Sequence, residues 1–347
     1  MKSLESISWL VDEPTYRNDP ALSYSTISTY ERGGGFNSLP TLFDRKESPS
    51  LLLGSIVDCI ITDGTDAFNK RYFTADFPEC SDTIINIVKT LFENYKSVHN
   101  SLLEIPSDVI INITEQMKYQ LNWKPETRAK VIKEKGDEYY KLLHIAGDKT
   151  VISTDMYNAA FAMVNALKTA PASKFLFEPN DPFDDNIQRF YQLKFKATIN
   201  DIPYRIMMDE SIVIHDKKKI LPIDLKTSSK PEYDFYKSFL EWGYCHQAKL
   251  YTEVLRRNIE QDDYFKDFDI MPYIFVVVNK DSLNPLCWEF KESVTTNDFV
   301  YGDKVIRSPL TIGEELYAYL QSNPMVPNGI LTNRPNDIIE WINRCKM

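Results

Sequence analysis

Residues Arg205 to Thr227 constrain the fold more than any other stretch of this chain. Two apolar β-type runs flank a polar, lysine-rich turn, and each run carries one aspartate in otherwise apolar surroundings. Side chains of a strand alternate between faces. Leu221, Ile223 and Leu225 are therefore expected to point one way, into a core, with Asp224 and Lys226 together on the other side. Folded about Asp216–Lys217 as an antiparallel hairpin, the segment brings Asp209 opposite Asp224, to within one residue of register. Two carboxylates and one ammonium on a single sheet face suit metal-assisted hydrolysis of a phosphodiester.

The spacing Asp-x-Lys has little meaning alone. It recurs at Asp44–Lys46 and Asp216–Lys218, where polar flanks point to a solvated turn. Asp224–Lys226 differs because its strand must bury one face, and a buried carboxylate is costly unless it is paired or bound to metal. A structural Asp–Lys ion pair and a metal site both satisfy that requirement.

With 347 residues the chain can bury a large core, as one elaborated domain or two small ones. No apolar run approaches the roughly 20 residues needed to cross a bilayer. The first residues, Met1 to Trp9, hold no apolar signal core, so export is not expected. The five cysteines are scattered singly, which argues against structural zinc or an iron–sulfur cluster and fits reduced thiols in a cytoplasm. No histidine pair has helical ligand spacing, so a zinc hydrolase has no support. The net charge of −10 opposes nucleic-acid binding, which Lys and Arg drive, unless positive charge is focused where a strand runs.

Along the chain, the first fifty residues read as loosely structured, broken by Gly33-Gly34-Gly35 and several prolines. Within them a helix is expected from about Ser25, with Ser23 or Ser25 as its N-cap. Leu51 to Ile61 reads as an apolar helix carrying Asp58. That aspartate either reaches solvent at a cleft edge or belongs to a metal or phosphate site. Ser81 to Leu143 shows helical spacing with many bases, including Trp123-Lys124, Arg128, Lys130, Lys133, Lys135 and Lys141. Mixed acids make a solvated face the default, with a DNA-facing arm as the alternative. Thr154 to Leu167 reads as a helix and Gln188 to Thr198 as a strand, followed by a turn at Asn200-Asp201 and the hairpin. A long helical stretch is expected from Lys230-Pro231 through Arg257, then strands at Tyr273–Val278 and Pro285–Phe290, and a helical tail from Thr311. The order indicates an α/β or α+β fold, a mixed sheet flanked by helices. No internal repeat or low-complexity tract is present.

After the hairpin, Gln247 and Tyr251 stand at i and i+4, with Tyr244 three residues earlier on the same side. A glutamine amide and two phenols on one stripe can hydrogen-bond phosphate and sugar oxygens, although ordinary polar decoration gives the same pattern.

Taken together, four segments in this order resemble the PD-(D/E)XK nuclease superfamily, in particular its RecB/RecE-like, phage-type exonuclease branch. They are Gly54-Ser-Ile-Val-Asp58, the Asp209 strand, Ile223-Asp224-Leu225-Lys226-Thr227, and Gly243 to Tyr251 with its Gln-x-x-x-Tyr. The entry segment Tyr16 to Ser25 is also similar to that of RecE-type proteins. The resemblance spans about residues 16–60 and 155–280 and implies a restriction-endonuclease-like core with an inserted helical region. It divides the chain into an entry segment and first core helix (1–80), a helical insertion (81–150), a catalytic core (151–295) and a C-terminal helical extension (296–347), within one compact domain. Two departures stand out: Asp58 where relatives often carry His, and Gln188 where a Glu often precedes the first core strand.

The resemblance implies that Asp209, Asp224 and the Leu225 carbonyl hold one or two Mg²⁺ (or Mn²⁺) ions, with Asp58 completing the sphere. Bound metal would lower the pKa of its water and neutralise developing charge. Lys226 would orient that water or stabilise the phosphorane. Gln247, Tyr251, Tyr244, Thr227 and Ser25 would contact DNA. The implied activity is exonucleolytic cleavage of linear double-stranded DNA, 5′→3′, in phage-type recombination or repair in the cytoplasm (the host's, if phage-encoded). Homo-oligomeric rings and a single-strand annealing partner belong to the same expectation, with no membrane. An endonuclease of the superfamily and a catalytically silent DNA-binding or assembly protein are the rivals.

Overall fold

The hairpin occupies the middle of a six-stranded mixed sheet. A computed structural model describes residues 1–43, 48–76 and 80–322. In chain order its elements are α1 (Glu13–Asn18), α2 (Tyr24–Arg32), α3 (Pro49–Thr62), α4 (Gly64–Arg71), β1 (Tyr72–Thr74), α5 (Asp82–Tyr95), α6 (Ser107–Gln116) and α7 (Pro125–Ala146). Next come β2 (Thr150–Ile152), α8 (Thr154–Thr169), β3 (Ile187–Ile199), β4 (Ile202–Ile214), β5 (Lys219–Ser228), α9 (Phe235–Trp242), α10 (Tyr244–Ile259) and β6 (Asp269–Ile270). The last are β7 (Tyr273–Asn279), β8 (Leu286–Phe290), β9 (Phe299–Tyr301), β10 (Lys304–Ile306) and α11 (Pro309–Ser322).

The chain forms two compact units, 1–47 with 166–347, and 48–165, the boundary falling inside α8. The second begins well before residue 81 because β1 pairs in parallel with β2, Tyr72 opposite Thr150, and so closes 48–165 on itself.

In the sheet unit the strand order is β3-β4-β5-β7-β8, with β6 also on β5. β3 and β4 turn at Asn200-Asp201, both with positive φ, as a two-residue hairpin requires for its twist. β4 and β5 pair from Ile214–Lys219 to Glu210–Ile223, so the fold-back is centred on Asp216–Lys217. The α9–α10 crossover then returns the chain, and β7 runs parallel to β5 with Phe275 beside Asp224. β8 closes the sheet antiparallel.

The expected division of faces on β5 needs correction. Ile223 is fully buried, but Leu221 and Leu225 are only half-buried. Ile220, on the Asp224 side, joins Phe275, Val277 and the α10 residues Ala248, Leu250 and Val254 in the main core. Asp224 and Lys226 therefore emerge beside a helix-covered apolar layer instead of on an open face. Each apolar side chain fully buried there contributes about 1.5–3 kcal/mol, ample to hold a charged pair at the margin of that layer.

The first fifty residues are also better ordered than their glycines and prolines suggest. Leu22 backbone bridges to Tyr204, and Ile27 and Tyr30 of α2 are fully buried. Ser23 caps α2 by accepting from the Thr26 N–H. The long helix expected from Lys230 is broken at Gly243, whose φ of 64° separates α9 from α10. α11 begins at Pro309, and the expected tail beyond residue 322, with Cys345, lies outside the described residues.

In the helical unit α5 and α7 pack closely. A Cβ at Gly136 would stand 2.5 Å from a Val88 methyl carbon. Two of the bases that suggested a DNA-facing arm answer acids nearby. Arg128, only 3% exposed, pairs with Glu115 at 2.9 Å, and Lys141 reaches Asp137 at 2.6 Å. No described helix is long and apolar enough to cross a membrane.

Candidate active site

Asp224 sits in the middle of β5, 1% exposed. Strand alternation puts Lys226 on the same face, and its Nζ lies 2.7 Å from Asp224 Oδ2. Across from them, α10 packs over that face. Gln247, itself 4% exposed, donates its side-chain N–H to Asp224 Oδ1. The carboxylate is thus held by a charge on one side and an amide on the other, which compensates its removal from water.

Asp209 comes from β4 through an irregular rung. Glu210 pairs with Tyr191 and Met208 with Leu193, but the Gln192–Asp209 rung between them is absent from the ladder. Gln192 takes φ 54° there. The core-facing parity switches across the same point, from Ile206 and Met208 to Val213. The kink lets the Asp209 carboxylate turn toward β5, where Oδ2 accepts from the Leu225 backbone N–H at 3.0 Å. Counting one rung on from Glu210–Ile223 sets Asp209 opposite Asp224. The hairpin register expected from the sequence is therefore the one the chain adopts.

Lys226 Nζ also lies 4.6 Å from the centre of the Tyr244 ring. Burial works against the ammonium, yet Asp224, then Tyr244, Asp209 and Tyr24, outweigh it and hold its pKa above the usual lysine value. Lys226 is a fixed positive charge. Burial pushes the surrounding phenols the other way: Tyr16 rises to about 12, and Tyr251 and Tyr273 rise well above the ordinary value. These hydroxyls stay neutral donors.

The remaining expected residues divide. Tyr244, Gln247 and Tyr251 all face this group, but Gln247 and Tyr251 (8% exposed) lie beneath its surface. Gln247 holds Asp224 instead of presenting its amide N–H to solvent. Thr227 follows Lys226 in β5, and alternation sends it to the opposite sheet face. Ser25 is exposed, its hydroxyl 2.8 Å from that of Ser23. Asp58 is half-buried on α3 in the helical unit. Gln188 hydrogen-bonds His215 at 3.1 Å, four residues along β3 from the irregular rung.

Sequence reasoning missed the aromatic wall. Tyr24 of α2 feels the charges of Lys226 and Asp224, and Tyr16 feels that of Asp209. Tyr273 of β7 is fully buried and feels both aspartates. Strand parity offered one signal: β7 runs beside β5, so Tyr273 shares a face with Asp224.

Among the described residues, no three His, Cys, Asp or Glu side chains gather as a metal-holding group. Asp209 and Asp224 do converge, and the buried Gln247 Oε1 has no hydrogen-bond partner. Two carboxylates and an orphaned amide oxygen are hard oxygen donors, the set that Mg²⁺ or Mn²⁺ takes.

No protein-family profile matches the chain, and no curated protein does. Among solved structures it is similar to a protein from Eubacterium rectale described as a "Putative exonuclease", with 11% identity and a TM-score of 0.38 over 91% of this chain and 84% of that one.

Proposed function

We propose that this chain is a divalent-metal-dependent deoxyribonuclease of the PD-(D/E)XK type, acting on the ends of linear double-stranded DNA. The observation that carries the reading is the buried Asp224 held between Lys226 and Gln247, with Asp209 turned toward it from the neighbouring strand. Asp209, Asp224 and the free Gln247 oxygen would hold Mg²⁺ or Mn²⁺, with the Leu225 carbonyl as the remaining donor that the resemblance implies. The ion would supply an activated water and neutralise phosphate charge. Lys226 keeps its proton, so it acts as a charged donor to a phosphate oxygen or to the attacking water, and does not act as a base. Tyr244 supports the ammonium from below and neutral Tyr251 stands beside the same group, while Tyr24 spends its O–H on the Trp242 carbonyl. Attack from a strand end, 5′→3′ polarity, a phage-type recombination role with a single-strand annealing partner, and assembly into rings that focus positive charge all follow from the RecE-like resemblance.

Digestion of linear and covalently closed circular DNA in Mg²⁺, Mn²⁺ and EDTA tests this. An exonuclease degrades only the linear form, and only with metal. Cutting of both forms means an endonuclease. No cutting leaves a DNA-binding or assembly protein.

A further inference from the structure

Next to this group the surface carries an indole and a guanidinium in contact. Trp242 ends α9 and is 41% exposed. The Arg32 guanidinium carbon lies 4.1 Å from the centre of its ring. The ring's backbone is anchored: the Trp242 carbonyl accepts from Tyr24 Oη at 2.9 Å and from Ser28 Oγ at 3.1 Å. The left-handed Gly243 then fixes the direction in which α9 stops. These contacts fix the Trp242 backbone, and the Arg32 guanidinium lies over the exposed indole itself.

The pair adjoins the candidate centre. Tyr24, which anchors Trp242, packs its ring 6.4 Å from Tyr244, and Tyr244 lies under Lys226. Arg32 acts electrostatically on Tyr244. Glu241, the acid beside Trp242, is engaged by Lys230 at 2.7 Å, so Lys230 offsets its charge locally. Exposed indole plus guanidinium is the combination that stacks an unpaired base while pairing its phosphate.

We propose that Trp242 and Arg32 form a stacking platform for an unpaired base of a nucleic-acid strand, next to the Asp224–Lys226 centre. The proposal deepens the nuclease reading and rests on it for the identity of the strand.

The test is binding in EDTA, by fluorescence anisotropy, of a dye-labelled oligothymidine and of an abasic strand of equal length. Wild-type protein is expected to bind the oligothymidine more tightly. Trp242→Ala should weaken oligothymidine binding roughly tenfold, with abasic binding unchanged and Trp242→Phe largely restoring it. Arg32→Ala should weaken both strands. Equal wild-type affinity for the two strands, unchanged oligothymidine binding by Trp242→Ala, or equal losses on both strands overturns the platform. Cleavage in Mg²⁺ is scored separately. A base-dependent loss in a protein that never cuts DNA removes the nuclease reading alone, whereas normal cutting with unaltered binding by Trp242→Ala removes the platform alone.

Discussion

The Lys226 ammonium stands 2.7 Å from the Asp224 carboxylate, and the two side chains are unequally buried: that of Lys226 is 20% exposed and that of Asp224 1%. The pair is therefore asymmetric. Losing the lysine strands the more deeply buried partner, while losing the aspartate leaves a cation that Asp209 still attracts.

That asymmetry gives the first prediction. Lys226→Met should destabilise the fold by about 3 kcal/mol, the cost of leaving one buried partner uncompensated, and Asp224→Asn by clearly less. Combining the two should recover much of the loss. Urea unfolding of the four proteins reads the coupling, and additive effects would contradict the buried pair. Both single variants are expected to lose DNA cleavage, by at least about 100-fold.

Gln247→Leu removes the amide that holds Asp224 Oδ1 and the orphaned Oε1 together. Mn²⁺ affinity, measured calorimetrically, should fall by about 10- to 100-fold. Unchanged affinity would place the cation elsewhere.

Glu210 gives a pH signature independent of catalysis. It is 2% exposed, and burial raises its pKa from 4.5 to about 8, with Arg189 and Tyr191 offsetting only part. Between pH 4.5 and 8 the unfolded chain has released this proton while the folded one keeps it. Glu210's contribution to stability is therefore full below pH 4.5 and is lost as pH rises toward 8. Glu210→Gln should flatten that decline and, relative to its effect at pH 5, gain on the order of 2 kcal/mol at pH 8. Parallel stability–pH profiles for the two proteins would rule this out.

Gly243→Ala forces a side chain into φ 64° and sets its Cβ 2.9 Å from His246 Nδ1. The expected cost is about 1–2 kcal/mol in thermal or urea unfolding. A neutral result would show that α9 and α10 can join without the left-handed residue.

Much of this arrangement was legible in the sequence because strand physics is local. The hairpin centre, the Asp209–Asp224 rung and the shared face of Asp224 and Lys226 follow from period-two alternation and the position of the polar turn. The depth of the site was not legible. Nothing in Gln-x-x-x-Tyr says that Gln247 turns inward to a carboxylate, since that depends on α10 lying against β5, far away in sequence. Tyr24 and Tyr16 come from a segment whose prolines and glycines suggested loose structure, and its burial is set by tertiary packing of Ile27 and Tyr30. Thr227 was grouped with its neighbours by motif, when alternation alone already placed it across the sheet.

The skipped rung at Gln192 and Asp209 makes the second acid a matter of counting. Both strands carry the same extra residue at that point, so each kink is accommodated by its neighbour. A one-residue deletion in β4 alone would leave the β3 kink unmatched and slide every later side chain to the wrong face. Insertions and deletions in this hairpin are therefore tolerated only as matched pairs, a stricter rule than any single substitution at the acid itself would impose.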